Sequence, residues 1–318
     1  MYQQLITIKD PSKYGINANG SNIAFYDGSN QTELYAWEQT INSTAIQVWV
    51  KNYNGSSIID MRVLPFNKNL FNATGYLGEA PQLSSVYGKY FNALQVFNYA
   101  WDFAGTTLPS SWYSNSMNYN VSNGLYISYS PTWSYMHTYL QVVKLNSEIL
   151  ADIQFGSYAS GAEGRLAENN ITLANDYSIQ TFFVYEYDST YLQTNNATIA
   201  NREAISVNTN YNIYGLYLNK TKSFLNFDGS VYSVDNTAPY SSSNTFYIGL
   251  GGQNPNDYEN VSWIVVPSLS SLYMPTYTIG TAQSLTPQYL FNINTVLNFM
   301  NTLLTNVNFN ISRMILFY

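Results

Sequence analysis

Asn22-Ile23-Ala24-Phe25-Tyr26 runs directly into Asp27-Gly28-Ser29-Asn30, a short apolar stretch closed by four turn-forming residues, and the rest of the chain reads outward from this unit. Glu33-Leu34-Tyr35-Ala36-Trp37-Glu38 and Ala45-Ile46-Gln47-Val48-Trp49-Val50 follow, each alternating apolar and polar positions with a period of two. Successive side chains on a strand point to opposite faces, so this period marks strands with one buried face. Strands separated by turns about every 8–12 residues predict an antiparallel β-sandwich. A stretch rich in Gly, Tyr and Asn from Gly75 to Asn98 interrupts the pattern, and a domain junction is expected there.

The chain has 318 residues, more than a single sandwich core of about 100–200 residues usually serves, so two domains are expected. Hydrophobic residues make up 46% of it and charged residues only 10%, with 31 Tyr, 16 Phe and 6 Trp. That aromatic load excludes disorder, and β-branched and aromatic residues with Gly, Asn and Ser turns favour strands nearly throughout. A net charge of −7 with 12 Lys and Arg and no basic cluster argues against a nucleic-acid partner, which needs cations to neutralise phosphates. Few ionisable groups also mean a surface charge that changes little with pH, which suits an acidic habitat.

Cysteine is absent, so disulfides, thiolate nucleophiles and Cys-based metal sites are excluded. The single histidine, His137, rules out a multi-His metal centre and is expected to be an ordinary strand or loop residue. Eleven Asn-x-Ser/Thr sequons, at Asn19, Asn30, Asn42, Asn54, Asn72, Asn120, Asn170, Asn196, Asn219, Asn260 and Asn310, are glycosylation candidates. Asp228-Gly229-Ser230 and Asn254-Pro255-Asn256-Asp257-Tyr258-Glu259-Asn260 offer oxygens in turns that could hold calcium, though turn formation alone explains both and no cofactor is expected. Gly249-Leu250-Gly251-Gly252 reads as a hairpin turn rather than a phosphate loop. No cleavable leader is evident in Met1-Tyr2-Gln3-Gln4-Leu5-Ile6-Thr7-Ile8, and no apolar run is long enough to span a bilayer.

Trp101-Asp102-Phe103-Ala104-Gly105-Thr106-Thr107-Leu108-Pro109-Ser110-Ser111-Trp112, followed by Val121-Ser122-Asn123-Gly124-Leu125-Tyr126-Ile127-Ser128, resembles the entry to a concanavalin-A-like or laminin-G-like jelly roll. Tyr211–Tyr217, Ser223–Gly229 and Phe246–Gly249 look like later strands of that family, and Val261–Val266 looks like its closing strand, with Ser262 where relatives often carry Asp before Trp. The block through Asn22–Tyr26 and Val48-Trp49-Val50-Lys51 is similar to a small sandwich often found before such a jelly roll. That tandem resembles archaeal surface proteins and the spike proteins of spindle-shaped archaeal viruses. Such jelly rolls also host retaining glycosidases, whose two carboxylates lie on one strand face; the candidate pair here is Glu186 and Asp188, but Tyr191 stands where the family's second glutamate is expected.

From Ser284 the period changes. Thr286 caps an expected helix with Pro287 at its first position, and Leu290, Ile293, Leu297, Met300, Leu304 and Val307 recur every three or four residues. The expected organisation is thus an all-β pair of sandwiches, residues 1–97 and 98–283 (the jelly roll), with a C-terminal helix and terminal strand over 284–318 that either packs on its own jelly roll or serves as an assembly element. Together these readings imply a non-enzymatic attachment or structural protein of an archaeal virion or cell surface, acting as spike, fibre or filament. It would self-associate or bind neighbouring subunits or a host glycan, outside the cell. A lectin-like carbohydrate-binding module and a glycoside hydrolase are the alternatives.

Overall fold

The computed structural model describes residues 2–28, 31–52, 58–115, 117–128, 134–156, 163–169, 180–186, 190–195, 200–206, 210–227, 230–237, 239–241, 243–253 and 258–268, with short segments at 282–285, 288–291, 296–298 and 308–310. Two compact units form: Met1–Asn98 with Ser268–Tyr318, and the continuous Tyr99–Pro267. Almost every regular element is a strand, as the alternation predicts.

In the first unit, β1 (Tyr2–Lys9), β2 (Ile23–Asp27), β3 (Glu33–Leu34), β4 (Ala36–Ile41), β5 (Ala45–Asn52), β6 (Ile59–Val63) and β7 (Leu77–Glu79) make two sheets. Their orders are β1-β5-β4-β7 and β3-β2-β6. Ile6, Ile8, Phe25, Val48, Val50 and Met61 belong to the core that these strands bury. The larger sheet is buried on its other face too, because a single turn of helix, α1 (Ala93–Val96), is followed by Phe97, whose ring meets Trp37 and Trp49 edge-on, each at 5.5 Å. Gln3 Nε2 donates to the Val96 carbonyl at 2.9 Å and fixes the helix in place.

The second unit contains β8 (Ala100–Trp101), β9 (Trp112–Asn115), β10 (Asn118–Val121), β11 (Leu125–Ser128), β12 (Ser134–Thr138), β13 (Val143–Lys144), β14 (Glu148–Gly156) and β15 (Glu163–Asn169). It continues through β16 (Gln180–Glu186), β17 (Thr190–Asn195), β18 (Ala200–Ile205), β19 (Asn212–Leu218), β20 (Lys222–Phe227), β21 (Ser230–Asp235), β22 (Thr245–Gln253) and β23 (Tyr258–Val265). One sheet runs β10-β11-β23-β14-β19-β20-β21, with β8 pairing β23, and the other runs β18-β17-β16-β15-β22-β12-β9, with β13 pairing β22. This is the jelly-roll sandwich the sequence resembles. Asn123 and Gly124, both at positive φ (55° and 123°), turn the chain between β10 and β11, where Asn and Gly adopt that conformation with little strain.

Two expectations are corrected here. Gly249-Leu250-Gly251-Gly252 is the interior of β22 rather than a turn, because Phe246, Ile248 and Leu250 alternate into the core and the glycines fall between them. The C-terminal helix does not form at the described residues: β24 (Ala282–Leu285) pairs β25 (Gln288–Phe291), and β26 (Val296–Asn298) pairs β27 (Asn308–Asn310). Asn292, Asn294, Asn298 and Asn301 are poor helix formers, and Tyr, Phe and Val among them favour strands, so the apolar spacing did not suffice. The terminal strand expected at Met314–Tyr318 lies outside the described residues.

Several carboxylates are buried. Glu38 is fully buried with neither oxygen hydrogen-bonded, and desolvation, reinforced by the neighbouring Glu79, pushes its pKa well above the usual carboxylate range. In the second unit desolvation raises Glu148 and Asp152 to about 7, the latter held back by a hydrogen bond with Ser262. Each of these acids holds its proton more tightly in the folded chain than in the unfolded one. Stability is therefore complete below the ordinary carboxylate pKa and falls as pH rises from about 4 to about 7, by up to roughly 3–4 kcal/mol for each group raised to 7. Thermal melts are expected to show a higher midpoint near pH 4 than near pH 8. Glu148→Gln and Asp152→Asn together should flatten that dependence.

Candidate functional site

The outer face of the β9–β12–β22 ladder carries an aromatic cluster whose position follows from the core beneath it. Met136 on β12, Trp112 on β9 and Phe246, Ile248 and Leu250 on β22 point inward. Alternation therefore turns Tyr135 and His137, Tyr113, and Tyr247 with Gly249 and Gly251 outward. The register sets His137 between Tyr113 and Gly249, and Tyr135 between Asn115 and Gly251. A Cβ at position 251 would lie 3.0 Å from the Ser134 carbonyl oxygen and 3.1 Å from Tyr135 Cβ, so glycine gives Tyr135 its room.

The His137 ring centroid is 5.3 Å from Tyr113, 5.5 Å from Tyr247 and 6.1 Å from Tyr135, and Tyr113 is 5.9 Å from Tyr139. His137 is almost fully buried among these rings, whereas Tyr113 and Tyr139 are 39% and 56% exposed. His137 Nδ1 sits 2.8 Å from the Thr138 carbonyl oxygen. A carbonyl only accepts, so the neutral ring carries its proton on Nδ1 and presents Nε2 as an acceptor. Next to the cluster lies an open groove of about 600 Å³, walled by Leu108, Pro109, Tyr113, Tyr119 and Tyr139. No charged side chain lines it. Exposed rings edged by serine and backbone polar groups can hold the apolar face of a neutral sugar and bond its hydroxyls at the rim.

Of the residues singled out in the sequence, His137 is the one brought into this cluster. Glu186 ends β16, where the register places it opposite Glu163, the first residue of β15. Asp188 lies outside the described residues, and Tyr191 on β17 is paired with Val184. Asp228, Gly229 and Asn254–Asp257 of the two candidate calcium loops also lie outside them. No group of three or more His, Asp or Glu that could hold a metal occurs among the described residues.

Six sequons are described with their side chains. Asn42 and Asn72 are exposed and Asn219 is half-buried; in all three the Asn Oδ1 accepts the backbone N–H two residues on, from Thr44, Thr74 and Thr221. Asn19 is exposed and makes the same turn with the Ser21 N–H at a longer 3.3 Å, Asn120 is exposed, and Asn260 is half-buried with its amide donating to Gln154 Oε1 at 3.0 Å. Asn310 lies on β27, and Asn30, Asn54, Asn170 and Asn196 are outside the described residues. Sequence reasoning missed the aromatic cluster, although Tyr135, His137 and Tyr139 recur at every second residue and announce a ring-bearing strand face.

No protein-family model and no curated protein matches the chain. Solved structures do. An endo-β-1,3-glucanase from Pyrococcus furiosus matches at TM-score 0.46 and 12% identity, over 55% of this chain and 95% of that one. The catalytic domain of an endo-1,3-β-glucanase (laminarinase) from Thermotoga petrophila matches at 0.45 and 12%, over 55% and 98%. A Mycobacterium tuberculosis protein, described as an immunostimulatory antigen and pseudo β-1,3-glucanase, matches at 0.44 and 12%, over 54% and 98%. At this identity the likeness is one of fold.

These matches correct the expectation of a non-enzymatic virion or cell-surface attachment protein. That expectation rested on the tandem's resemblance to archaeal surface and viral spike proteins, whereas the solved structures that match are described as glucanases, one of them a pseudo-glucanase. A sheet face serves attachment or catalysis according to the side chains on it, so the fold gives no ground for excluding an enzyme.

Thr138 ties the aromatic strand to its neighbour, its hydroxyl donating to the Leu140 carbonyl at 2.8 Å and accepting the Ile248 N–H at 3.2 Å. Thr138→Val removes both bonds at a buried position and is expected to cost about 1–3 kcal/mol in denaturant unfolding.

Proposed function

We propose that the second unit is a glycan-recognition domain that lays a neutral polysaccharide across Tyr113 and Tyr139 and along the adjoining groove. One observation carries this reading: exposed rings held rigidly around His137, beside an open groove that no charged side chain lines. Affinity electrophoresis in gels containing neutral polysaccharides (a β-1,3-glucan, a mannan, a galactan) tests it, with an anionic polymer as control. At least one neutral polymer should retard the protein. Tyr113→Ala and Tyr139→Ala should each weaken the interaction by about 0.5–1.5 kcal/mol, roughly twofold to twelvefold in Kd. Retardation by none of the neutral polymers would refute the proposal.

Hydrolysis of the bound glycan is a second reading, favoured by the opposition of Glu163 and Glu186 across β15 and β16. A retaining glycosidase uses two carboxylic acids on neighbouring positions of one site, and the register brings two glutamate positions opposite one another. In such a mechanism one carboxylate attacks the anomeric carbon as the other protonates the leaving oxygen, and water then releases the sugar. New reducing ends should appear on incubation with the polysaccharide that binds, and Glu186→Gln should abolish them while leaving gel retardation intact. Equal release by the variant would assign the activity elsewhere.

We further propose that Asn42, Asn72 and Asn219 carry glycans, since each presents its sequon in a turn closed by its own side chain at 2.9–3.0 Å, tighter than the 3.3 Å at Asn19. Glycopeptide mass spectrometry of the protein from its native host should find all three occupied.

A further inference from the structure

On the outer face of the other sheet, a depression of about 160 Å³ is lined by residues including Asn120, Asn123, Tyr126, Tyr211 and Asn260. Tyr126 and Tyr258 stack beside it with ring centroids 5.9 Å apart and planes 28° from parallel. Tyr258 lies flat because its cross-strand partner is Gly156, where a Cβ would come within 2.1 Å of the ring. Tyr126 and Tyr211 are 43% and 49% exposed, well above a satisfied core aromatic.

The polar groups around these rings are held in place. Asn260 is oriented by its bond to Gln154 Oε1 at 3.0 Å. Ser262 is the extra residue of a β-bulge opposite Asp152 and Ile153, and its side chain is hydrogen-bonded to both Asp152 and Tyr211. A bulge re-aims the side chain it inserts, and here Ser262 braces the Tyr211 side chain at the wall of the depression. No Lys, Arg, Asp or Glu lines the space. Tyrosine faces, fixed amides and no charge match a pyranose, whose apolar C–H face packs on rings while its hydroxyls exchange hydrogen bonds at the edge.

We propose that this depression is a second sugar site that takes a single neutral pyranose, on the sheet opposite the one that carries Tyr113 and Tyr139. Its argument does not depend on the glycan reading of the first surface. The same pyranose chemistry has two sources, a sugar from outside or the first residue of a glycan attached to Asn120 or Asn260, both of which head sequons at the rim. The proposal commits to the external sugar, because Asn260 is half-buried and its amide is engaged by Gln154.

The test is calorimetric titration of the full chain, produced in a host without N-glycosylation, with the methyl glycosides of glucose, galactose, mannose and N-acetylglucosamine. At least one should bind, and the binding should be lost in the double variant Tyr126→Ala and Tyr211→Ala but kept in Tyr113→Ala and Tyr139→Ala. Binding lost only in the second pair would overturn this site and leave the polysaccharide reading standing. No binding of any of the four sugars would overturn this site alone, since polysaccharide retention is read separately. Glycopeptides from the native host that show a glycan on Asn120 or Asn260 would also overturn it, by filling the depression with the protein's own sugar. Asn120→Trp, an exposed substitution that plugs the depression, replaces the tyrosine pair if that variant does not fold, and it should likewise abolish binding.

Discussion

A strand has only two faces, and the second unit depends on that constraint being met simultaneously along β9, β12 and β22. Trp112, Met136, Phe246, Ile248 and Leu250 must face inward to fill the core, and the residues between them are then committed to the outer face whatever they are. A slip of one residue in β12 would turn Tyr135 and His137 into the core and Met136 onto the outer face, placing polar groups where apolar ones now pack. The core thus fixes the register, and the register places the rings. The arrangement of the rings thus follows from packing that serves stability first.

The same sandwiches tolerate a set of acids with few compensating charges. Glu38 lies on the core side of its strand with no hydrogen-bond donor at either oxygen, and Glu148 and Asp152 sit buried on β14. An ionised carboxylate in such a place is costly, so burial is accommodated by keeping the proton rather than by pairing with a cation. With so few Lys and Arg in the chain, pairing was scarcely available. These buried acids therefore favour a pH at which they keep their protons.

Where sequence reading succeeded, the signal was local. The Asn123-Gly124 turn, the strands around Phe25, Trp37 and Trp49, and the all-β class follow from period-two patterns and turn residues. Where it failed, the deciding term was not local. Spacing of apolar residues from Leu290 to Val307 fits a helix, yet the described residues there pair as strands. Gly249-Leu250-Gly251-Gly252 looks like a turn by composition, yet it is the interior of a strand because a partner on either side supplies hydrogen bonds that no window of sequence records. Tyr135, His137 and Tyr139 were visible as a periodic set but were indistinguishable from core among so many aromatic residues.

By itself the sequence determined that this chain folds into strands and that it buries aromatic cores without disulfides. These follow from side-chain chemistry and from a period set by backbone geometry. Which strands lie side by side was decided only by tertiary structure, and with it every property that needs two strands at once. The opposition of His137 to Tyr113 and Gly249, of Glu163 to Glu186, and of Tyr258 to Gly156 arises from ladder registers between segments far apart in the chain. Register is a cooperative outcome of filling both cores, and no single segment carries it.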